Sequence, residues 1–213
     1  MKNKNTGNCL IAQSGGPTSA INASLAGLIA EFKENCDGEI FGALNGIQGV
    51  LSRNIINFKD LLDINEENLE KLKISPAMYL GSCRYKLEPF QTAINQLLPD
   101  YERIDDYTCI FNILKEYNIK FFFYIGGNDS MDTVKKLGEY AKSIDSDISF
   151  MGVPKTIDND LPVTDHTPGY GSAARYIAAS MLEMAYDTSI YNTKSVLIVE
   201  IMGRNAGWLT AAS

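Results

Sequence analysis

The stretch Ile119-Lys120-Phe121-Phe122-Phe123-Tyr124-Ile125 constrains the fold more than any other part of the chain. A strand with one face in water alternates apolar and polar residues. A nearly continuous apolar strand instead suits a parallel sheet covered on both faces. This one ends in Gly126-Gly127-Asn128-Asp129-Ser130 and leads into Met131, Val134 and Leu137 at helical spacing. The same order occurs near the start. Cys9 to Gln13 reads as a strand, Ser14 to Thr18 as a glycine turn, and Ile21, Leu25, Leu28, Ile29 and Phe32 as the inner face of a helix with Thr18 or Ser19 at its N-cap.

A second strand is expected over Glu39–Leu44, with Gly46 and Gly49 breaking the segment after it. Short helices are expected over residues 60–73 and again over 88–98, after the turn Gly81-Ser82-Cys83-Arg84. Ile104 to Tyr117 is amphipathic, with Ile110, Ile113 and Leu114 facing inward. Ile148 to Val153 reads as a strand ending at Pro154-Lys155, and an Asp- and Pro-rich loop runs to about residue 169. A helix from about Ser172 to Asp187 and a strand over Ser195–Ile201 complete the pattern. Strands alternating with helices predict a doubly wound α/β fold with a mainly parallel sheet. Ligands in such folds bind beyond the carboxyl ends of the strands. The distinctive loops follow four expected strands at those ends, which predicts one shared site.

Composition excludes several classes. The net charge is −7 and no Lys/Arg-rich run is present, which argues against a nucleic-acid binder. No apolar run is long enough to span a bilayer. The polar opening MKNKNTGN runs straight into a strand, unlike a signal peptide. Cys9, Cys36, Cys83 and Cys109 are widely spaced and His166 is the single histidine, so a zinc site is not expected and free thiols in a reducing cytoplasm are. The final residues Trp208–Ser213 read as the first turns of an apolar helix, so the chain is expected to be a fragment of a longer protein.

The loops carry the chemistry. Gly15 and Gly16 open a helix, where backbone N–H groups and the helix dipole can meet an anion; a tight strand-to-helix turn would use the same residues. The loop at Gly127 repeats that geometry and adds Asp129, which could also be an N-cap. A carboxylate beside a phosphate requires a metal or a lysine between them. In Pro154-Lys155-Thr156-Ile157-Asp158-Asn159-Asp160, two carboxylates lie one residue apart and a lysine precedes the first by three positions. A plain turn uses Asp and Asn as well. Lys155 with two acids also supplies a cation for phosphoryl oxygens, a base for an attacking hydroxyl and an orienting carboxylate. Arg204 in Met202-Gly203-Arg204-Asn205-Ala206-Gly207 could fork onto a phosphate. For Arg84, Arg175 and Arg204 a solvated surface position is the alternative.

Taken in order, SGGPT, GSCR, GGNDS, PKTIDND and MGRNAGW resemble the phosphofructokinase family, and the resemblance covers nearly the whole chain. That family is longer and has two α/β domains. The resemblance implies a donor-binding domain over residues 1–168 and the start of a truncated sugar-phosphate domain over 169–213. It implies that Asp158 takes the proton from the sugar hydroxyl and that Asp160 is its companion. Thr156-Ile157 and Met202-Gly203-Arg204 resemble the contacts to fructose 6-phosphate. Gly15, Gly16, Gly127 and Arg84 resemble donor-phosphate contacts. Where many members carry an arginine that crosses a subunit interface, this chain has Ser195, with Lys194 beside it.

The implied partners are a phosphoryl donor, fructose 6-phosphate, Mg2+ and further copies of the chain, with no nucleic acid and no membrane. ATP-using bacterial members resemble GGDGS and GTIDND at the two central loops, whereas this chain has Asp129 and Lys155 at the variant positions. Those changes resemble the pyrophosphate-dependent branch. Two like charges 4 Å apart at an effective dielectric of about 20 repel by ~4 kcal/mol. A carboxylate where the α-phosphate of ATP would lie could then cost a factor of roughly a thousand. Asn128 stands where many members have a metal-binding aspartate; it offers magnesium a carbonyl oxygen, and Asp129 or Asp160 would bring the charge. The alternatives are an ATP-dependent enzyme of the same class and a non-catalytic phosphate-binding subunit.

Overall fold

The apolar run forms β4 (Ile119–Gly126), an interior strand flanked in parallel by β1 (Asn8–Gln13) and β5 (Ser149–Pro154). β1 also pairs in parallel with β2 (Ile40–Ala43), and β2 pairs antiparallel with the short edge strand β3 (Ile55–Asn57). The order is β3-β2-β1-β4-β5. The structure is a computed structural model that describes residues 6–16, 18–61, 64–89 and 105–213 of the 213-residue chain.

The connections dictate which face each helix covers. After β1 the chain runs through α1 (Ser19–Asn35) to β2 on one side. After β4 it runs through α6 (Asn128–Ser143) to β5 on the other side. Right-handed crossovers in opposite directions put their helices on opposite faces. Two cores result. Cys9, Ile11 and Ile125 pack under α1 with Leu72 of α4 (Glu66–Ile74). Leu10, Ala12, Phe122 and Tyr124 pack under α5 (Asp106–Glu116) and α6. The sheet is therefore doubly wound, and the direction of winding reverses between β1 and β4. In folds of this kind ligands bind beyond the strand ends at such a switch point.

Most expected elements are present, including the inward face of α5, where Ile110, Ile113 and Leu114 are buried. The short helices expected over 60–73 are α3 (Phe58–Leu61) and α4. Three expectations need correction. Gly46 and Gly49 do not break the chain but lie in α2 (Gly46–Leu51). A Cβ on Gly49 would fall 1.7 Å from the carbonyl oxygen of Leu44, so glycine there permits a close backbone approach. Gly127, not Asp129, is the N-cap of α6; Thr18 holds the N-cap position of α1 as expected, though its side chain makes no capping bond. Ser195–Ile201 is not a strand. A strand exists only where neighbours take up its backbone groups, and among the described residues no strand pairs there, leaving Val196 and Ile198 each 89% exposed. The fourth loop therefore follows no strand. The helix expected over 88–98 lies outside the described residues from 90 onward, and β3 was not expected at all.

The chain divides into two compact units at Pro154/Lys155. The first holds the sheet and both cores. The second holds the loop from Lys155, the long helix α7 (Tyr170–Ser189) and the short α8 (Trp208–Ala211), whose Trp208 carbonyl accepts from the Tyr170 hydroxyl at 3.4 Å. None of the four cysteines is disulfide-bonded. Among the described residues no helix is long and apolar enough to cross a membrane.

Candidate active site

Three loops meet at the carboxyl edge of the first unit. β1 ends at Gln13, and the next amide, of Ser14, donates to the carbonyl of Ile125 in β4 at 3.0 Å. The Ser14 hydroxyl donates to the Cys83 carbonyl at 3.0 Å, and the Ser82 hydroxyl donates to the Gly15 carbonyl at 2.8 Å. The glycine turn after β1 and the Gly81–Arg84 turn are thus tied together. Gly126 completes the junction: a Cβ there would lie 2.8 Å from the Ser14 carbonyl oxygen and 2.2 Å from Ser130 Oγ. Only a hydrogen fits. Gly15, Gly16 and Arg84 are exposed at this edge, as are Asn128 and Asp129 in the first turn of α6, while Gly127 is half-buried. The side-chain oxygens of Thr18 and Ser130 are buried without a hydrogen-bond partner among the described residues. Two such hydroxyls at the openings of α1 and α6 leave donors for an anion.

The edge continues into β5. Gly126 and Pro154 are register partners, so β4 and β5 end at the same level. Lys155 is only 5% exposed. Burial pushes its ammonium below the ordinary lysine range, and the nearby Asp158 carboxylate opposes that fall. The loop behind this pair is fixed by its own side chains. The Asp158 amide donates to Thr156 Oγ1 at 3.1 Å. The Thr167 hydroxyl donates to the Thr156 carbonyl at 2.5 Å, and the Thr167 amide donates to Asn159 Oδ1 at 2.9 Å. Asn159 has φ 58°, a left-handed conformation that asparagine tolerates. Within the second unit a cavity of about 550 Å³ is lined by Asp160, Leu161, His166, Tyr170 and Trp208 among others. Thr156 and Ile157 are half-buried; Met202, Gly203 and Arg204 are exposed on a turn and do not line that cavity.

The structure thus brings Lys155, Thr156 and Asp158 together in one unit, and Gly15, Gly127 and Arg84 to one edge of the other. Sequence reasoning missed the supporting groups: Ser14, Gln13, Asn22, Asn45, Cys83 and Tyr124. The Tyr124 hydroxyl accepts from the Ile47 amide at 3.2 Å and lies 3.7 Å from Cys83 Sγ. Polar residues interrupting apolar runs, such as Gln13 and Asn22, were the available signal.

Among the described residues no group of three or more His, Cys, Asp or Glu side chains forms a metal cage. Magnesium bound with phosphates needs only one or two carboxylates and keeps its waters. A solvent-facing Asp129 in the first turn of α6 fits that requirement.

The family model for phosphofructokinase matches residues 8–213. A pyrophosphate--fructose 6-phosphate 1-phosphotransferase of Xanthomonas campestris pv. campestris is 42% identical, with 97% of this chain and 47% of the relative covered. An enzyme of the same name from Halomonas elongata is 40% identical, covering 96% of this chain and 47% of the relative. The crystal structure of a pyrophosphate-dependent phosphofructokinase from Nitrosospira multiformis superposes with a TM-score of 0.79 at 36% identity, covering 96% of this chain and 48% of that one. The chain spans about half the length of the relatives it matches. With its switch-point loops and its ordered motifs matched from end to end, the chain belongs to the phosphofructokinase family.

Proposed function

We propose that this protein transfers a phosphoryl group from pyrophosphate to the 1-hydroxyl of fructose 6-phosphate, giving fructose 1,6-bisphosphate. The observation that carries this reading is a buried lysine beside a carboxylate in the loop that follows β5. Asp158 accepts the hydroxyl proton as that oxygen attacks phosphorus. Lys155 meets the charge on the transferred phosphoryl oxygens, and phosphate leaves. Backbone amides at Gly15, Gly16 and Gly127, with Arg84, hold the donor. Thr156-Ile157 and Met202-Gly203-Arg204 hold the sugar phosphate, and Asp160 orients the network. Asp129, with the Asn128 carbonyl oxygen, would hold magnesium against the donor, where the ion neutralises phosphate charge.

The relatives at 40% and 42% identity bear the pyrophosphate name, which supports that donor over ATP. Asp129 contributes less to this choice than a buried carboxylate would. It is exposed, and in bulk water a like-charge pair at 4 Å repels by only ~1 kcal/mol, about fivefold. Most of the discrimination therefore falls to Lys155 and to the space around the loop. The same reading assigns residues 1–168 to the donor domain and 169–213 to the start of the sugar-phosphate domain, in a cytoplasmic homo-oligomer. A coupled assay of the full-length protein with fructose 6-phosphate should show turnover with pyrophosphate well above that with ATP; a preference for ATP overturns the donor assignment. Binding of both substrates without turnover would make it a non-catalytic subunit.

A further inference from the structure

We propose that the side-chain amides of Gln13, Asn22 and Asn45 form a clamp that positions Arg84 against the donor phosphates; this rests on the reading of Arg84 and Gly15 as donor contacts. Residues 75–84 belong to no helix or strand. Their backbone polar groups must therefore find partners elsewhere, and three amides provide them. Asn22 Oδ1 accepts from the Tyr79 amide at 3.0 Å, while its Nδ2 donates to the Ser75 carbonyl at 3.0 Å. Gln13 Oε1 accepts from the Leu80 amide at 2.9 Å. Gln13 Nε2 donates to Asn22 Oδ1 and to the Ile21 carbonyl, each at 3.2 Å. Asn45 closes the clamp further along the segment: its backbone amide donates to the Leu80 carbonyl at 2.7 Å and its Nδ2 to the Ser82 carbonyl at 3.1 Å.

Gln13 and Asn22 are wholly buried. A buried amide pair satisfied on both its donor and acceptor sides holds one geometry, because any displacement strands polar groups away from water. The clamped segment then passes directly to the site. Ser82 bonds Gly15, Cys83 receives the Ser14 hydroxyl, and Arg84 is the next residue. Arg84 itself is exposed, so its reach toward a ligand depends on where the clamp sets its backbone. The three amides touch neither substrate in this scheme and act through Arg84 as positioning residues.

Asn45 offers a clean test. It is exposed, and its φ of 63° suits glycine without strain. Asn45→Gly removes the side-chain amide alone. In the full-length protein it should raise KM for pyrophosphate about 3- to 10-fold, the worth of one such bond, and leave KM for fructose 6-phosphate within about twofold. With Arg84→Ala already present, Asn45→Gly should no longer change the donor KM, as coupled sites require. Gln13→Met should show the same donor selectivity if near-ultraviolet circular dichroism shows that it folds. If it does not fold, Asn45→Gly decides. A fall in thermal stability with donor KM unchanged, or an equal rise in both KM values, overturns the clamp. If the unmodified protein uses ATP in place of pyrophosphate, the same ratio is read with ATP and only the donor assignment falls. If it binds neither donor by calorimetry, both readings fall.

Discussion

Lys155 and Asp158 show how a neighbour and burial together set the charge of a side chain. An isolated lysine on a surface keeps its proton to high pH. Buried beside one carboxylate, Lys155 is held below that range by desolvation, with Asp158 partly restoring the charge. The unfolded chain binds this proton more tightly than the folded one. Between the two values stability therefore rises with pH, while any step needing the cation fades on the alkaline side, below the ordinary value near ~10.4. Lys155→Arg keeps its charge throughout. In the full-length protein the alkaline limb of the rate profile should move upward in this variant; an unchanged limb would assign it to another group. Asp158→Asn should lower kcat by ~10²–10⁴ through lost base catalysis. Turnover like that of the unmodified enzyme would remove Asp158 from the proton transfer.

At the scale of elements, glycine marks where two pieces of backbone meet. Gly46 opens α2 with φ 63°, and a Cβ there would fall 2.8 Å from both Cys83 Sγ and the Tyr124 hydroxyl. Gly138, in the middle of α6, has open space around it. Alanine at the two positions should act oppositely. Gly46→Ala should destabilise by about 1–3 kcal/mol, from strain and overpacking together. Gly138→Ala should stabilise by about 0.5–1 kcal/mol, because alanine loses less entropy in a helix. Urea unfolding of both variants checks the contrast, and a stabilised Gly46→Ala would show that the α2 junction can relax. The motif glycines were legible as turns in the sequence. The helical place of Gly46 and its intolerance of a side chain were not, since the clashing atoms belong to Cys83 and Tyr124, far along the chain.

For the molecule as a whole, the two units differ in how their apolar surface is covered. β1 and β4 lie between two cores, and Phe122 and Ile125 are wholly buried. The 20-residue helix α7 has no buried residue, with Tyr176 73% and Tyr186 67% exposed. Helices draw most of their stability from a packed face, and local opening tracks packing. Hydrogen exchange of this chain should therefore find the amides of α7 exchanging much faster than those of β4. Equal protection would mean that α7 has a packed face in solution.

The amino-acid order by itself determined the parallel sheet, its two covered faces and the loops at its carboxyl edge. Those features arise from the spacing of apolar residues and from glycine, both readable within a dozen positions. The family could be recognised for the same reason, because its motifs are short and contiguous. Tertiary structure alone decided that among the described residues the Thr18 hydroxyl has no partner and residues 195–201 pair with no strand, and that Gln13, Asn22 and Asn45 hold a segment more than thirty residues further on. A hydrogen bond is made with whatever group folding brings within reach, and nothing in the local sequence names that partner.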